Sequence, residues 1–142
     1  MLARIIKQTA PKALKTSTIL SRRTFLTSRI LFDSKQYTDS DEWLYHTIES
    51  TKVGLTENAV EQLGELVYIE YQVGKGDVVE EGDEIVSIES VKATDEIKAP
   101  FDCVILGINN EVEDSIETFL DKINQSPECT DESWIIKIDK IP

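Results

Sequence analysis

Charge divides this chain before any periodicity does. Residues 1–32 hold seven basic side chains (Arg4, Lys7, Lys12, Lys15, Arg22, Arg23, Arg29) and no acidic one. Residues 33–142 hold the other eight basic residues against all 27 Asp and Glu, a net of −19. One folded surface has no use for such a break, so the chain is read as residues 1–32 and a single acidic domain, 33–142. The first segment is rich in Ser and Thr (Thr9, Thr16, Ser17, Thr18, Ser21, Thr24, Thr27, Ser28), the composition of a mitochondrial transit peptide. Leu2, Ile5, Ile6 and Leu14, with Lys between them, allow a basic amphipathic helix. Arg23 to Phe32 has the Arg, Phe and Ser of a matrix-processing site, so cleavage is expected near residues 30–33 and the mature domain in the mitochondrial matrix. A basic tail for nucleic acid or acidic lipid is the alternative, but no Trp or Tyr is interleaved with the charges. No apolar run approaches the ~20 residues that span a bilayer.

The acidic domain is unsuited to nucleic acid, whose backbone repels it. Its charge suits a protein that docks on basic surfaces and leaves again. Cys103 and Cys129 lack CxxC spacing and make neither a zinc site nor a disulfide framework. His46, the single histidine, has no triad arrangement around it and reads as strand or surface packing. Trp43 and Trp134 read as core or rim aromatics, and Glu80-Glu81 and Asp131-Glu132 as solvated loops. There is no phosphate-binding glycine loop and no metal-ligand cluster. No set of residues reads as an enzyme's catalytic group.

Short β-rich runs recur between turns. Trp43 to Tyr45 and Lys52 to Leu55 form an opening hairpin. Thr56 then caps a short helix whose Ala59, Val60 and Leu63 share a face, and Gly64 supplies a left-handed stop. Leu66 to Tyr71 is a strand, Gly74 to Asp77 a turn, Val78-Val79 a short extended run, and Glu81 to Asp83 a second turn. Glu84 to Glu89 and Thr94 to Ala99 are strands, ended by Pro100, and Val104 to Ile108 is another. Val112, Ile116, Phe119, Leu120 and Ile123 make the apolar stripe of a helix over 112–124. Trp134 to Ile138 is the closing strand. Many short strands with one late helix give a β-sandwich or flattened barrel with peripheral helices.

The hairpin between residues 84 and 99 is anomalous. Tight turns use Gly, Asn, Asp or Pro for backbone reasons, yet its tip reads Ser90-Val91-Lys92-Ala93. A local rule broken where its surroundings obey it marks a candidate functional site. What such a tip offers is presentation: the four-carbon stem of Lys92 stands in water between small neighbours. An ordinary solvated lysine is the competing reading.

The string Glu89-Ser90-Val91-Lys92-Ala93 resembles the lipoate-attachment motif of glycine cleavage system H proteins. Biotin carriers place Met on both sides of the lysine, and acyltransferase lipoyl domains usually place Asp before it, where this chain has Val91. The resemblance runs over about residues 36–138, through Tyr37-Thr38, Glu42-Trp43, Val53 to Thr56, Ala59, Leu63-Gly64, Val73-Gly74, Glu81-Gly82, Ile108-Asn109 and Trp134. It implies a lipoyl/biotinyl-type barrel-sandwich hybrid: two small antiparallel sheets, a short helix after the first hairpin and a C-terminal helix. It further implies lipoate bound covalently to Lys92 as N6-lipoyllysine, with Glu89, Ser90, Val91 and Ala93 forming the hairpin that the lipoate-attaching enzyme reads. The arm would take the aminomethyl group from the pyridoxal-phosphate enzyme glycine decarboxylase and give it to an aminomethyltransferase. Dihydrolipoyl dehydrogenase would then reoxidise it. The alternatives are an octanoyl or lipoyl relay in lipoate assembly and an unmodified, divergent interaction module.

The chain departs from that family pattern at Asp41, where His is usual, at Tyr71-Gln72 in place of Leu-Pro, and at Cys103 and Ser133 in place of Gly. Lost turn glycines predict backbone strain, so Gly at Cys103 is expected to raise thermal stability. The departures also predict weaker docking to partners.

Overall fold

The structure, a computed structural model, describes residues 33–142. The targeting expectation for residues 1–32 lies outside the described residues. Strands β1 (Ser34–Tyr37), β2 (Glu42–His46) and β3 (Thr51–Leu55) open the domain as consecutive antiparallel neighbours. Helix α1 (Glu57–Leu63) leads to β4 (Leu66–Tyr71), β5 (Val78–Val79), β6 (Glu84–Ser90), β7 (Thr94–Lys98) and β8 (Cys103–Ile108). Helices α2 (Glu111–Asp114) and α3 (Ile116–Gln125) precede β9 (Ile136–Lys140). The strands form a six-stranded sheet, β1-β2-β3-β9-β8-β5, and a three-stranded sheet, β4-β6-β7, with every pair antiparallel. The mainly-β, two-sheet expectation holds, although one sheet is larger than expected.

Alternation along the strands sends one apolar set inward from each sheet. Val53, Leu55, Ile105, Ile136 and Ile138 meet Ile69, Ile85, Val86, Ile88 and Ile97 in one buried cluster. Phe119, Leu120 and Ile123 of α3 and Ala59 and Leu63 of α1 join it. Each large apolar side chain buried there contributes roughly 1.5–3 kcal/mol. Trp43, fully buried, lies across Gly54 on the neighbouring strand, where a Cβ would stand 2.3 Å from the indole. Its Nε1 donates to the Pro127 carbonyl at 2.9 Å. Thr56 caps α1 as expected, its hydroxyl accepting from the Ala59 N–H at 3.1 Å.

Several expectations are corrected. The stretch Ser34–Tyr37 carries no strand pattern, yet it pairs with β2 as an edge strand. The helix expected over 112–124 is two helices. Ser115 between them is extended (φ −161°, ψ 103°), and its hydroxyl accepts from the Thr118 N–H as a new N-cap. The last strand begins at Ile136, after Trp134.

Cys103 is no turn residue. It lies fully buried within β8, opposite Lys140 on one side and Val79 on the other. Among the described non-glycine residues only Asp41 has positive φ, 63°, a conformation that Asp tolerates. The strain expected at Cys103 is therefore absent. Ser133 is also buried, its hydroxyl donating to the Ser126 carbonyl. Gln72 donates its N–H to the Ile85 carbonyl at 2.9 Å, a bond that proline cannot make. The hydroxyl of Tyr71 donates to the Ile135 carbonyl at 2.8 Å.

Candidate functional site

Lys92 stands at the exposed tip of the β6–β7 hairpin. Glu89 pairs with Thr94 at the base of the turn, and Val91, Lys92 and Ala93 form the tip. No residue of the tip has positive φ, so no glycine is required. The work falls to Ser90. Its Oγ accepts from the N–H groups of Lys92 (3.2 Å) and Ala93 (3.0 Å), and it donates to the Ala93 carbonyl at 3.0 Å. The Ser90 N–H donates to that same carbonyl at 2.8 Å. A serine hydroxyl thus does here what Asx side chains do in other turns. The tip obeys turn chemistry after all, through the one residue of the motif able to supply it.

The tip is also held from outside. The Val91 N–H donates to the Glu65 carbonyl at 3.0 Å, in the loop between α1 and β4. The stem of Lys92 lies over Gly64, so that a Cβ there would meet Lys92 Cε at 3.3 Å and Cδ at 3.5 Å. Among the described residues no ion pair takes up the ammonium group of Lys92. The amine is therefore rooted by its stem and open at its end.

Around the tip the surface is acidic with apolar patches. Glu65, Glu89, Asp95 and Glu96 are all exposed, and among the described residues only Glu96 of these four is in an ion pair, with Lys98 at 3.0 Å. Val67, Tyr68 and Val91 are exposed large apolar residues, Val67 at the irregularity where β4 meets β6. Sequence reasoning missed Glu42 as anything more than part of the opening segment. Its carboxyl is buried and bonded by the Thr38 hydroxyl. Burial raises its pKa, the Thr38 bond opposes that, and the charges of Asp95 on β7 and of Asp41 add to the rise. A carboxylate between Asp41 and Trp43, inside a strand, was the available signal.

The remaining candidates take structural roles. His46 shares a hydrogen bond with the Thr51 hydroxyl at 2.9 Å and stacks on Phe101, and burial lowers its pKa. Trp134 is half-buried, with the Lys137 ammonium 4.9 Å from its ring. Both cysteines are free, and burial pushes the Cys103 thiol up to about 11, far from a reactive thiolate. Among the described residues no group of His, Cys, Asp and Glu is arranged to hold a metal ion. A surface hollow of about 440 Å³ is lined by Tyr71, Val73, Leu106 and Trp134. It lies at the opposite end of β4 from Leu66, which pairs with Ser90, and Lys92 takes no part in it.

Comparison with known proteins is consistent across sequence and structure. The family model described as glycine cleavage H-protein matches residues 35–141. A probable glycine cleavage system H protein of Pyrococcus furiosus is 42% identical over 104 residues, covering 72% of this chain and 71% of that protein. The glycine cleavage system H protein of Dinoroseobacter shibae is 41% identical over 102 residues, covering 72% and 78%. The crystal structure of a glycine cleavage system H protein from Mycobacterium marinum superposes with a TM-score of 0.62 at 25% identity, over 76% of this chain and 84% of that one.

Proposed function

The chain belongs to the glycine cleavage H-protein family and serves as that system's lipoyl carrier, and on this premise we propose that the lipoyl group is joined in amide linkage to Lys92 Nζ. The observation that carries the assignment is the exposed Lys92 at a two-stranded hairpin tip, its ammonium in no ion pair among the described residues. A covalent arm needs such an end: accessible to the attaching enzyme, and not committed to a neighbouring carboxylate. The lipoyl group, once bound, supplies the sulfur chemistry of aminomethyl transfer.

The chain's own part is to hold and present. Ser90 closes the turn, the Glu65 carbonyl fixes its height, and the stem on Gly64 sets where the arm leaves the surface. Tethering turns a diffusing intermediate into one held at high local concentration before each visiting enzyme. The protein works with the glycine cleavage enzymes. In finer terms, we infer that these are glycine decarboxylase, an aminomethyltransferase and dihydrolipoyl dehydrogenase, with a lipoate-attaching enzyme acting first. In each encounter the chain is a substrate and not an enzyme. Glu89, Ser90, Val91 and Ala93 are the residues we assign to recognition of the hairpin. The composition of residues 1–32, basic and free of acid, supports import into the mitochondrial matrix.

Intact-mass measurement of protein purified from mitochondria is the test. One lipoyl adduct that maps to Lys92 and disappears in Lys92→Arg is expected, together with support of glycine–bicarbonate exchange by glycine decarboxylase. An unmodified chain overturns the attachment, and a lipoylated chain inert in the exchange overturns the carrier role.

A further inference from the structure

Gly64 ends α1, but not in the way a helix stop requires. Its N–H donates to the Val60 carbonyl at 2.9 Å, as a terminating residue's does. Its backbone, however, has φ 81° and ψ −161°, whereas a left-handed stop has ψ of about +47°. That combination is open essentially to glycine alone, and backbone outliers of this kind persist where the surrounding structure demands them. Asn or Asp, which serve as left-handed helix ends elsewhere, cannot adopt it.

The demand comes from the hairpin. With this conformation at Gly64, the next carbonyl, that of Glu65, receives the Val91 N–H at 3.0 Å. The absent side chain leaves bare backbone, and three atoms of the tip lie where a Cβ would meet them: Lys92 Cε at 3.3 Å, Val91 Cγ2 at 3.4 Å and Lys92 Cδ at 3.5 Å. At the other two positive-φ glycines, Gly76 and Gly82 (both φ 92°), a Cβ would meet nothing within 4 Å. They share the positive φ and lack the contact.

We propose that Gly64 is a positioning residue for the lipoyl arm: its bare backbone is the platform on which the stem of Lys92 lies, and it makes the α1–β4 loop the second half of the surface that the attaching enzyme must engage. The inference rests on Lys92 as the attachment site. The hairpin motif alone is then an incomplete signal, because the loop that seats the lysine is remote from it in sequence.

The test uses the full chain, lipoate, ATP and a lipoate–protein ligase, with acylation followed by mass spectrometry. Gly64→Ala is compared with Gly76→Ala and Gly82→Ala, which also place a side chain at positive φ but away from the hairpin tip. We expect Gly64→Ala to lower kcat/KM for acylation by about ten- to a hundredfold, and to speed hydrogen exchange of the Val91 amide. The two control variants should lose thermal stability while acylation stays unchanged. Wild-type acylation in Gly64→Ala, or equal slowing in all three variants, overturns the proposal. Should Gly64→Ala fail to fold, NMR of the parent chain decides. Acylation of Lys92 should shift the Gly64 and Glu65 amide signals and leave those of Gly76 and Gly82 in place, and an unmoved Gly64 signal overturns the proposal. Failure to acylate the parent chain removes the attachment site itself. Normal acylation of the parent with an unaffected Gly64→Ala removes only the platform.

Discussion

Two turns in this domain are built alike, and the functional one is built differently. In Gly74–Asp77 and Glu80–Asp83 the third residue is a glycine at φ 92°. In each, the Asp carboxylate accepts the N–H from three residues back, at 2.8 and 2.9 Å, and the backbone closes at 3.1 and 3.0 Å. Each closes through its own glycine and aspartate, and each is also tied outward, Gly76 donating its N–H to the Ile105 carbonyl at 2.7 Å and Gly82 to the Ala99 carbonyl at 2.9 Å. The tip at Ser90–Ala93 has no glycine; it closes through one hydroxyl and is then tied to Glu65 and seated on Gly64. All three turns are thus bonded to a neighbouring element. What sets the tip apart is a seat for one side chain, the Lys92 stem on Gly64, because the position of that side chain relative to the rest of the surface is what a visitor reads.

The heaviest blow to this comparison is a glycine placed where the chain does not turn. Cys103→Gly removes a fully buried side chain from a paired strand. The cavity and the added chain entropy together cost about 2 kcal/mol, read as a lower Tm and a lower denaturant midpoint. A gain in stability would mean that β8 holds a glycine-type conformation there. A smaller loss separates the two kinds of turn. Ser90→Ala deletes an acceptor of two N–H groups and a donor to Ala93, for about 1 kcal/mol, and slows acylation of Lys92. Asp77→Ala deletes a single acceptor and costs about 0.5 kcal/mol, with acylation untouched. Equal slowing of acylation by both variants would erase the distinction.

What the sequence made legible follows the same line. Helix α1 was readable because Thr56 and Gly64 are local signals, and strands β6 and β7 because apolar alternation is local too. The lysine was legible through a motif. Its seat was not: nothing in Leu63-Gly64-Glu65 says that the helix stop departs from left-handed geometry to meet a hairpin. Strand β1 was hidden because an edge strand needs only one partner and little apolar alternation. Its Lys35 and Tyr37 are instead held by the Glu128 carboxylate, at 3.1 and 2.9 Å. The break at Ser115 was hidden because the apolar stripe runs on across it: Val112 and Ile116 both still pack on the core. Cys103 misled because alignment to a family's turn says nothing about where this chain's strand begins.

The smallest effect concerns a third way of turning, between β1 and β2. There the Thr38 hydroxyl bonds the Glu42 carboxyl and accepts the Glu42 N–H at 3.1 Å, while Asp41 takes the positive φ. Hydroxyl closure is shared with the Lys92 tip, but here it draws a carboxyl into the interior. Burial raises the pKa of Glu42 above its unfolded value, and Asp95 and Asp41 add to the rise. The folded state therefore holds the proton more tightly than the unfolded chain. The stabilising contribution of this group is fully present below the unfolded pKa of about 4.3 and is lost as pH rises through the folded one. Glutamine imitates the protonated form at every pH and keeps an oxygen for Thr38. Glu42→Gln is accordingly expected to raise Tm by a few degrees at pH 7, with the gain shrinking to nothing below about pH 4. A variant less stable than the parent at pH 7 would mean that the ionised carboxylate is stabilised where it lies, and that this turn, like the Lys92 tip, is held by a partner outside itself.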